Sequence, residues 1–305
     1  QAEIDREFRS GNLFEDYIHH LYTKRLLNVI KVDTFTTTYE NRPWERICFL
    51  TIREYSPQTT IIGYQHAPLS KASLDMRLSK YERNIVPMPD KINTTGKITK
   101  DFLERYGNHD KNKVKTSCAL RFESFPASEI ARRKTSHRIL VALRGIRSTA
   151  IGLVNFVYRA LKDSEQYKII VRTHPALPPE RFIDGLDFDI SSCKNISIST
   201  STSVKQDLQD ADILIYEGTA MAIEALVMGM PVIHIALNEI ISPDPLFQCE
   251  HFKYTGGREE DLPKTIETIY QLTDDEYYYQ QMMAMKYVRD YVFDITEERL
   301  GEFIV

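Results

Sequence analysis

The stretch YEGTAMAIEALVMGMPVIHI, residues 216–235, decides the fold class of this chain. It opens at the end of the apolar run DILIY (212–216), turns through a glycine, and continues with apolar residues at helical spacing. A second apolar run, MPVIHIAL (230–237), follows it. Parallel strands need a crossover connection, which is usually a helix. This order therefore predicts a parallel strand–helix–strand unit.

The same alternation fills the C-terminal half of the chain. Three further apolar runs, HRILVAL (137–143), YKIIV (167–171) and NISIS (195–199), are separated by segments with helical spacing. Crossovers between parallel strands are right-handed almost without exception, so these units predict a doubly wound sheet. We assign residues 131–305 to this second domain, with two surface helices at its C-terminal end.

The N-terminal half, residues 1–130, predicts a smaller α/β domain. VDTFTTTYE (32–40), TTIIGYQHAP (59–68) and the start of DKINTTGKITKDFLERYG (90–107) are predicted strands. A Rossmann-like domain usually contains more than three strands. We therefore expect this first domain to lack its opening strands.

Length and composition agree with two domains. The chain has 305 residues, of which 42% are hydrophobic and 27% charged, as is ordinary for a globular protein. The polar stretch 107–117 and the segment 123–136 are predicted to carry the linker. A net charge of −4, together with the lack of an aromatic–basic stripe, argues against a nucleic-acid partner.

Cysteine usage and hydropathy bear on location. The four cysteines lie far apart without a CxxC pair, which predicts a reduced, cytoplasmic protein. No apolar stretch approaches the roughly 20 residues that span a bilayer, and the charged N-terminus does not resemble a signal peptide. Because the sequence opens without methionine, we expect a processed chain or part of a longer one with further domains.

One strand end carries a basic and aromatic pair. The segment RTHPALPP (172–179) directly follows YKIIV, which places Arg172, His174 and Pro175 at the carboxyl end of a predicted strand. Ligands of open α/β sheets bind at that edge. These three residues are therefore candidates for ligand binding.

A second strand end, that of the first strand of the second domain, suits a phosphate. RGIRST (144–149) follows the first strand of the second domain and opens a helix, which makes Arg144, Gly145 and Ser148 candidates for phosphate binding.

The strongest candidate is the EGT turn that follows DILIY. Glu217 lies just past the strand, Gly218 permits a sharp turn, and Thr219 can cap the helix that follows. The small side chain of Ala220 permits close approach of a ligand, and Glu224 can accept hydrogen bonds from sugar hydroxyls. Free N–H groups at a helix start favour a phosphate oxygen.

Strand-EGT-helix-GMPVI, behind a strand that ends in RTHP, resembles the donor-binding domain of GT-B glycosyltransferases. More narrowly, it resembles the bacterial surface and capsular polysaccharide group, which includes CMP-sugar transferases (sialic acid, Kdo) and CDP-glycerol or ribitol phosphotransferases. The resemblance covers roughly residues 137–240. It implies that His174-Pro175 and Gly218-Thr219 hold the donor phosphate. Those families have a Ser-Ser pair where this chain has Thr219-Ala220, which leaves the nucleotide undecided at this point.

The first domain adds two candidate catalytic residues. His66 ends the strand GYQHAP, where a neutral imidazole can take a proton from an acceptor hydroxyl. It resembles the strand-end WHG of the phosphotransferase group. Glu40, in YENRPWER, resembles the E-N-x-x-W-E stretch of bacterial surface-carbohydrate proteins, and is predicted either to act as the base or to orient His66. Trp44 and Glu45 are predicted to pack and to cap.

Other chemistries lack their sequence signatures. The chain contains no GxGxxG after a strand, no GxxxxGK[ST] and no GxSxG. The letters DFD (187–189) match a DxD metal motif but lie in a loop-like region, so we predict neither a metal nor a cofactor.

The resemblance implies an α/β fold of two Rossmann-like domains that face a cleft, the first of them short of strands. It implies a metal-independent glycosyltransferase that moves a sugar or a polyol phosphate from a CMP- or CDP-linked donor to a glycan or lipid-linked glycan. Because such an acceptor can be attached to lipid, peripheral association with the inner face of a membrane is compatible with this function. Two alternatives remain: a UDP-sugar 2-epimerase of the same fold, and a non-catalytic GT-B-like module of a polysaccharide-assembly protein.

Overall fold

The chain folds as two compact units, and the computed structural model describes residues 12–122, 131–237 and 240–304. Unit 1 contains Gln1–Ala67, Ser73–Phe125 and Asp290–Val305, and unit 2 contains Pro68–Ala72 and Pro126–Arg289. No helix within the described ranges is both long enough and apolar enough to cross a bilayer.

Each unit contains one parallel sheet with helices between its strands. Strands β1 to β10 are Thr34–Thr38, Thr60–Gln65, Lys91–Thr94, Val114–Thr116, Arg138–Ala142, Lys168–Arg172, Ile196–Ile198, Ile213–Tyr216, Val232–Ile235 and Lys253–Gly256. Helices α1 to α9 are Asn12–Val29, Pro43–Tyr55, Lys97–Arg105, Arg147–Leu161, Val204–Asp210, Met221–Val227, Leu262–Gln271, Asp274–Tyr291 and Glu297–Gly301. The predicted fold class, α/β with two Rossmann-like units, is confirmed.

The sheet of unit 1 has the order β1-β2-β3-β4, so strands that are adjacent in sequence are also adjacent in space. In the register, Thr38 at the end of β1 lies opposite Tyr64 near the end of β2. Because both strands run in the same direction, the residues that follow them leave the sheet at one edge. Glu40 and His66 are among these residues.

The sheet of unit 2 has the order β10-β9-β8-β5-β6-β7. The chain first builds outwards from β5 to β7 and then returns to the other side of β5 with β8. This order is that of a dinucleotide-binding Rossmann sheet, whose ligands bind where the direction reverses. The reversal lies between β5 and β8, with Ala142 opposite Tyr216 at their carboxyl ends. Fully buried Ile and Val side chains of both strands form the core beneath it.

Two strands were missed by the sequence analysis. The stretch 107–117, predicted as part of the linker, contains β4, and β10 follows the last predicted strand. Val114 is the only buried residue of β4, so this short strand has no apolar run to mark it. The predicted linker residues 123–130 lie outside the described part of the chain.

The C-terminal segment Asp290–Val305, which the sequence analysis assigned to the second domain, packs within unit 1. The carbonyl of Glu302 accepts hydrogen bonds from Lys91 and Asn93 on β3, at 2.7 and 2.8 Å. The ring of Phe303 meets the ring of Tyr64 edge to face, with centroids 5.1 Å apart. Unit 1 therefore combines the N-terminal part of the chain with its C-terminal segment.

Candidate functional site

The reversal point of the unit 2 sheet carries an ion pair. Arg144 follows β5 and Glu217 follows β8, and Nη1 of Arg144 lies 3.2 Å from Oε1 of Glu217. The Glu217 side chain is 3% exposed, whereas that of Arg144 is 27% exposed. The arginine therefore neutralises a buried carboxylate and keeps part of its own surface towards solvent.

A tight turn orients His174 after β6. The N–H of Leu177 donates to the carbonyl of His174 at 2.8 Å, and Pro175 occupies the second position of this turn, where its restricted φ is favourable. The N–H of Ala176 donates to Nδ1 of His174 at 3.1 Å. Because Nδ1 accepts this bond, the imidazole is neutral and carries its proton on Nε2. His174 is exposed, so this second nitrogen is a hydrogen-bond donor that solvent can reach.

Gly145 brings the loop after β5 against this imidazole. A Cβ atom on Gly145 would lie 2.9 Å from Nδ1 of His174, closer than real Cβ contacts allow. Neighbouring residues of one loop thus contact two others: Arg144 pairs with Glu217, and Gly145 lies against His174. The structure therefore brings together the RGIRST, RTHP and EGT segments that the sequence analysis singled out.

The EGT turn leads into α6 one residue later than the capping prediction requires. Thr219 was predicted to cap the helix, but the helix begins at Met221 with Ala220 at the cap position. The Thr219 hydroxyl accepts only a long bond, 3.4 Å, from the N–H of Met221. Within the described chain, the N–H groups of Thr219 and Ala220 donate to no protein acceptor. Glu224 lies half-buried within α6.

A buried polar group holds the EGT turn from below. Asp244 accepts hydrogen bonds from the hydroxyl of Tyr216, at 2.7 Å, and from the N–H of Leu246, at 2.8 Å, and it pairs with Lys253 on β10. Burial raises the pKa of Tyr216 well above its ordinary value, so its hydroxyl remains a donor. The sequence analysis missed this group, because the SPDP segment that contains Asp244 shows nothing of its distant partners.

Pro243, next to Asp244, lies directly on the EGT turn. A Cβ on Gly218 would lie 2.8 Å from Cβ and Cγ of Pro243. Glycine is therefore required at position 218 for close packing against Pro243, whereas its backbone does not adopt a left-handed conformation that would by itself demand glycine. The buried Tyr216–Asp244–Lys253 group positions the loop that fixes this contact.

Two residues that were predicted to bind the nucleotide donor lie away from His174 and the EGT turn. The guanidinium of Arg172 pairs with Asp207, at 2.7 Å, and donates to the carbonyl of Ser201, at 2.7 Å, so it braces the loop after β7. Ser148 lines a pocket of about 670 Å³ whose other walls include Leu237, after β9, and Arg258, after β10. Neither side chain contacts His174 or the EGT turn through a described hydrogen bond.

Glu40 and His66 lie together at the edge of the unit 1 sheet. Oε1 of Glu40 is 3.9 Å from Nε2 of His66, and both side chains are about one third exposed. The separation is too long for a direct hydrogen bond but leaves room for one oxygen atom that bonds both groups. Nδ1 of His66 is buried and has no hydrogen-bond partner among the residues that the structure describes.

The E-N-x-x-W-E stretch builds the turn that presents Glu40. Glu45 is fully buried, and its carboxylate accepts from the N–H groups of Glu40, at 3.0 and 3.1 Å, and of Arg42, at 2.9 Å. Burial raises the pKa of Glu45, although these N–H groups oppose the shift. Asn41 has a left-handed backbone, with φ 59°, and donates to the carbonyl of Asp75 at 2.6 Å. The predicted capping role of Glu45 is confirmed.

The acids of the DFD letters are occupied within the protein. Asp187 pairs with Arg159 at 2.6 Å, and Asp189 accepts from the N–H of Ser191 at 2.9 Å. The hydrogen bonds to Ser191 lower the pKa of Asp189. Both carboxylates therefore have structural roles.

No known protein-family profile matches the sequence, and no curated protein matches it. Solved structures match at the level of fold. A glycosyltransferase from Rickettsia africae is 13% identical, with a TM-score of 0.55, over 92% of this chain and 78% of its own. HepE from Anabaena, solved with UDP, is 11% identical, with a TM-score of 0.54, over 85% and 74%. The UDP-GlcNAc 2-epimerase from Methanocaldococcus jannaschii, solved with UDP-GlcNAc and UDP, is 14% identical, with a TM-score of 0.56, over 90% and 79%. This chain therefore has the GT-B fold, in which glycosyltransferases and UDP-GlcNAc 2-epimerases are its structural neighbours.

Proposed function

We propose that this protein is a nucleotide-sugar-dependent glycosyltransferase whose unit 2 binds the donor. One observation carries the proposal: adjacent residues Arg144 and Gly145 contact Glu217 and His174 respectively, at the point where the Rossmann sheet reverses. Ligands bind at this point in open α/β sheets. Glycosyltransferases among the structural neighbours support the proposed activity.

The donor phosphate would be bound by neutral hydrogen-bond donors. Nε2–H of His174 and the N–H groups of Thr219 and Ala220 supply them, with Arg144 beside them. As the bond between phosphate and sugar breaks, negative charge grows on the phosphate oxygen. Preorganised donors stabilise this charge more than they stabilise the ground state, and each such donor commonly contributes about 3 kcal/mol.

We assign acceptor activation to the Glu40–His66 pair. An acceptor hydroxyl beside the pair would donate its single proton to Nε2 of His66, with Oε1 of Glu40 3.9 Å from that nitrogen. Neutral His66 takes the hydroxyl proton, and the negative Glu40 stabilises the imidazolium that forms. Arg42, whose Nε lies 3.4 Å from Glu40 Oε2, holds the carboxylate in place.

The nucleotide and the acceptor are assigned from the resemblance to known families. We propose a CMP- or CDP-linked donor and a glycan or lipid-linked glycan acceptor of the bacterial surface-polysaccharide type, as the resemblance to that group implies. HepE and the M. jannaschii epimerase were solved with UDP, which makes UDP the principal competitor.

A titration of the purified protein with CMP, CDP, UDP and GDP, followed by calorimetry and thermal unfolding, tests the donor assignment. We expect CMP or CDP to bind and raise the unfolding temperature. Binding of UDP alone would instead favour a UDP-sugar enzyme, the epimerase included. If none of the four binds, the donor site is wrongly assigned and a non-catalytic module becomes the better explanation.

Two variants separate binding from turnover. His174→Ala removes a hydrogen-bond donor to the phosphate and should weaken nucleotide affinity by about tenfold or more. His66→Ala should leave that affinity within about twofold while abolishing nucleotide release from donor in the presence of glycan acceptor. If His66→Ala abolishes binding and His174→Ala does not, the two roles are assigned the wrong way round.

A further inference from the structure

Helix α1 carries large apolar side chains on the side that faces solvent. Those that are 43% to 75% exposed along this helix are Phe14, Tyr17, Leu21, Tyr22, Leu26 and Val29. Single exposed apolar residues are ordinary on a protein surface, whereas a contiguous apolar patch marks an interaction site. The outer side of α1 is therefore a candidate interaction surface of unit 1.

The opposite side of α1 packs against α2 through polar groups. Among the described side chains of α1, Thr23 alone is buried, and its hydroxyl donates to Sγ of Cys48 at 3.4 Å. Nδ1 of His20 lies 2.9 Å from Oγ1 of Thr51. A surface helix of a globular protein normally does the reverse, with its apolar stripe towards the core. The folded unit thus leaves the apolar side of α1 unburied.

The outer side of α1 also carries charges of both signs. Phe14, Ile18, Leu21 and Arg25 follow one another at intervals of four, three and four residues, which places them along one line of the helix. Glu15 lies beside the start of this line. Glu15 and Arg25 are both exposed, and neither forms an ion pair with the part of the chain that the structure describes. The surface is therefore acidic towards its amino end and basic towards its carboxyl end.

Such a surface is complementary to itself when two copies lie antiparallel. A twofold axis at the level of residue 20 places Glu15 of each copy opposite Arg25 of the other. The same axis places Ile18 opposite Tyr22. A parallel pair would instead place like charges opposite each other, which is unfavourable. Charge thus selects both a second copy as the partner and the antiparallel direction.

A lipid bilayer fits this surface less well. Helices that lie in a membrane interface are rich in Lys and Arg on their polar face. The outer side of α1 offers one acid for one base, and Lys24 is engaged by α2, where it donates to the hydroxyl of Tyr55 at 2.9 Å. Attraction to anionic lipid therefore has little charge on which to act.

We propose that α1 is a homodimerisation surface, on which a second copy of this chain packs its own α1 in the antiparallel direction. The proposal goes beyond the donor and acceptor chemistry and does not depend on it. A helix of 18 residues is about 27 Å long, and by itself it buries less than the roughly 800 Å² per partner of a standard interface. We therefore expect a weak dimer, with a dissociation constant in the micromolar range.

Sedimentation velocity of the purified chain between about 1 and 200 µM tests the surface. The dimer fraction should rise with concentration in this range. Glu15→Arg and Arg25→Glu each place like charges opposite each other, and each should weaken the dimer by about tenfold or more. The double variant Glu15→Arg/Arg25→Glu restores opposite charges and should dimerise as the wild type does.

A mixture of the two single variants tests the antiparallel pairing itself. One variant has arginine at both positions and the other has glutamate at both, so the mixture should form a dimer that neither variant forms alone. Both substitutions alter exposed side chains, which leaves the fold of the monomer intact. Equal association of the wild type and both single variants would overturn the proposal, because another surface would then be responsible.

Two further variants separate the apolar contact from general charge effects. Tyr22→Ala removes a side chain that is 68% exposed, and should weaken the dimer by about tenfold. Lys97→Glu is the matched control, since it reverses an exposed charge at the start of α3 in the same unit. It should leave the dissociation constant within about twofold.

A wild-type protein that stays monomeric over the whole concentration range would overturn the proposal. Vesicles of phosphatidylcholine and phosphatidylglycerol then identify the alternative. Co-sedimentation of the monomer with these vesicles, lost in Tyr22→Ala, would show that the surface binds lipid instead of a second copy.

Discussion

Gly145 lies so close to His174 that a Cβ on the glycine would be 2.9 Å from Nδ1 of the imidazole. Gly145→Ala should therefore displace the ring and weaken the bond from Ala176 that sets its tautomer. We expect nucleotide affinity to fall by about tenfold, with little change in the free energy of unfolding. Calorimetric titration measures the first effect and urea unfolding the second.

Gly257→Ala provides the control for this variant. A Cβ at Gly257 would meet no atom within 4 Å, so the substitution should change neither affinity nor stability beyond the general effect of glycine replacement. Equal affinities for the two alanine variants would contradict the proposed placement of His174 in the phosphate site.

The buried group beneath the EGT turn predicts unequal stability effects. Lys253→Met leaves Asp244 buried without a counter-charge and should lower the free energy of unfolding by about 3 to 5 kcal/mol. Tyr216→Phe leaves Asp244 with Lys253 and the N–H of Leu246, and should cost only about 1 kcal/mol. Urea unfolding of both variants, monitored through a probe in unit 2, measures the difference. Equal losses would show that the ion pair is not the main support.

The capping carboxylate of Glu45 predicts a linked loss of stability and activity. Glu45→Ala leaves the N–H groups of Glu40 and Arg42 without their acceptor and should cost about 2 kcal/mol. Because the same turn presents Glu40 to His66, transfer activity should fall as well. Glu45→Gln retains an acceptor oxygen and should show a smaller loss of both.

Glu54→Ala is the matched control, since this glutamate is exposed near the end of the same helix. It should change the free energy of unfolding by less than about 0.5 kcal/mol. A Glu45→Ala protein as stable as the Glu54→Ala protein would contradict the capping role.

His109 predicts a pH dependence of stability in unit 1. Burial, reinforced by nearby Arg83, lowers the pKa of His109 to about 4, whereas its hydrogen bond to the carbonyl of Met76 opposes the shift. In the unfolded chain the pKa of histidine is about 6.5. Between pH 6.5 and 4 the unfolded state therefore binds the extra proton, and stability falls as the pH decreases.

The size of this loss should approach about 3 kcal/mol near pH 4, and the contribution of His109 should vanish above pH 7. Unfolding curves measured from pH 4 to 8 test the dependence. His109→Gln, which can still donate to Met76, should flatten the profile in this window. A variant profile parallel to that of the wild type would show that other groups control acid stability.

Local patterns in the sequence were sufficient to predict most strands and the segments at their carboxyl ends. Apolar runs such as DILIY and YKIIV have β-branched residues in short blocks, and both are strands. Parallel strands then bring their following loops to one edge, which is why RGIRST, RTHP and EGT meet. β4 and β10 lack such runs and were recognised only in the folded sheet.

The partners of charged side chains were decided by the tertiary structure. Arg172 has the sequence position of a ligand-binding residue, yet it pairs with Asp207, 35 positions later. Asp244 appears as a loop acid and is instead the buried centre of a hydrogen-bonded group. Ion pairs form between residues that are distant in sequence, so no local pattern records them.

The sequence by itself determined the α/β class, the parallel strands of unit 2 and the positions of the turns that follow those strands. These features follow from backbone geometry and apolar spacing, which act over a few residues. The tertiary structure decided which side chains of those turns remain available, and which part of the chain completes unit 1. Those outcomes depend on burial and on charge neutralisation, which exist only once distant segments pack together.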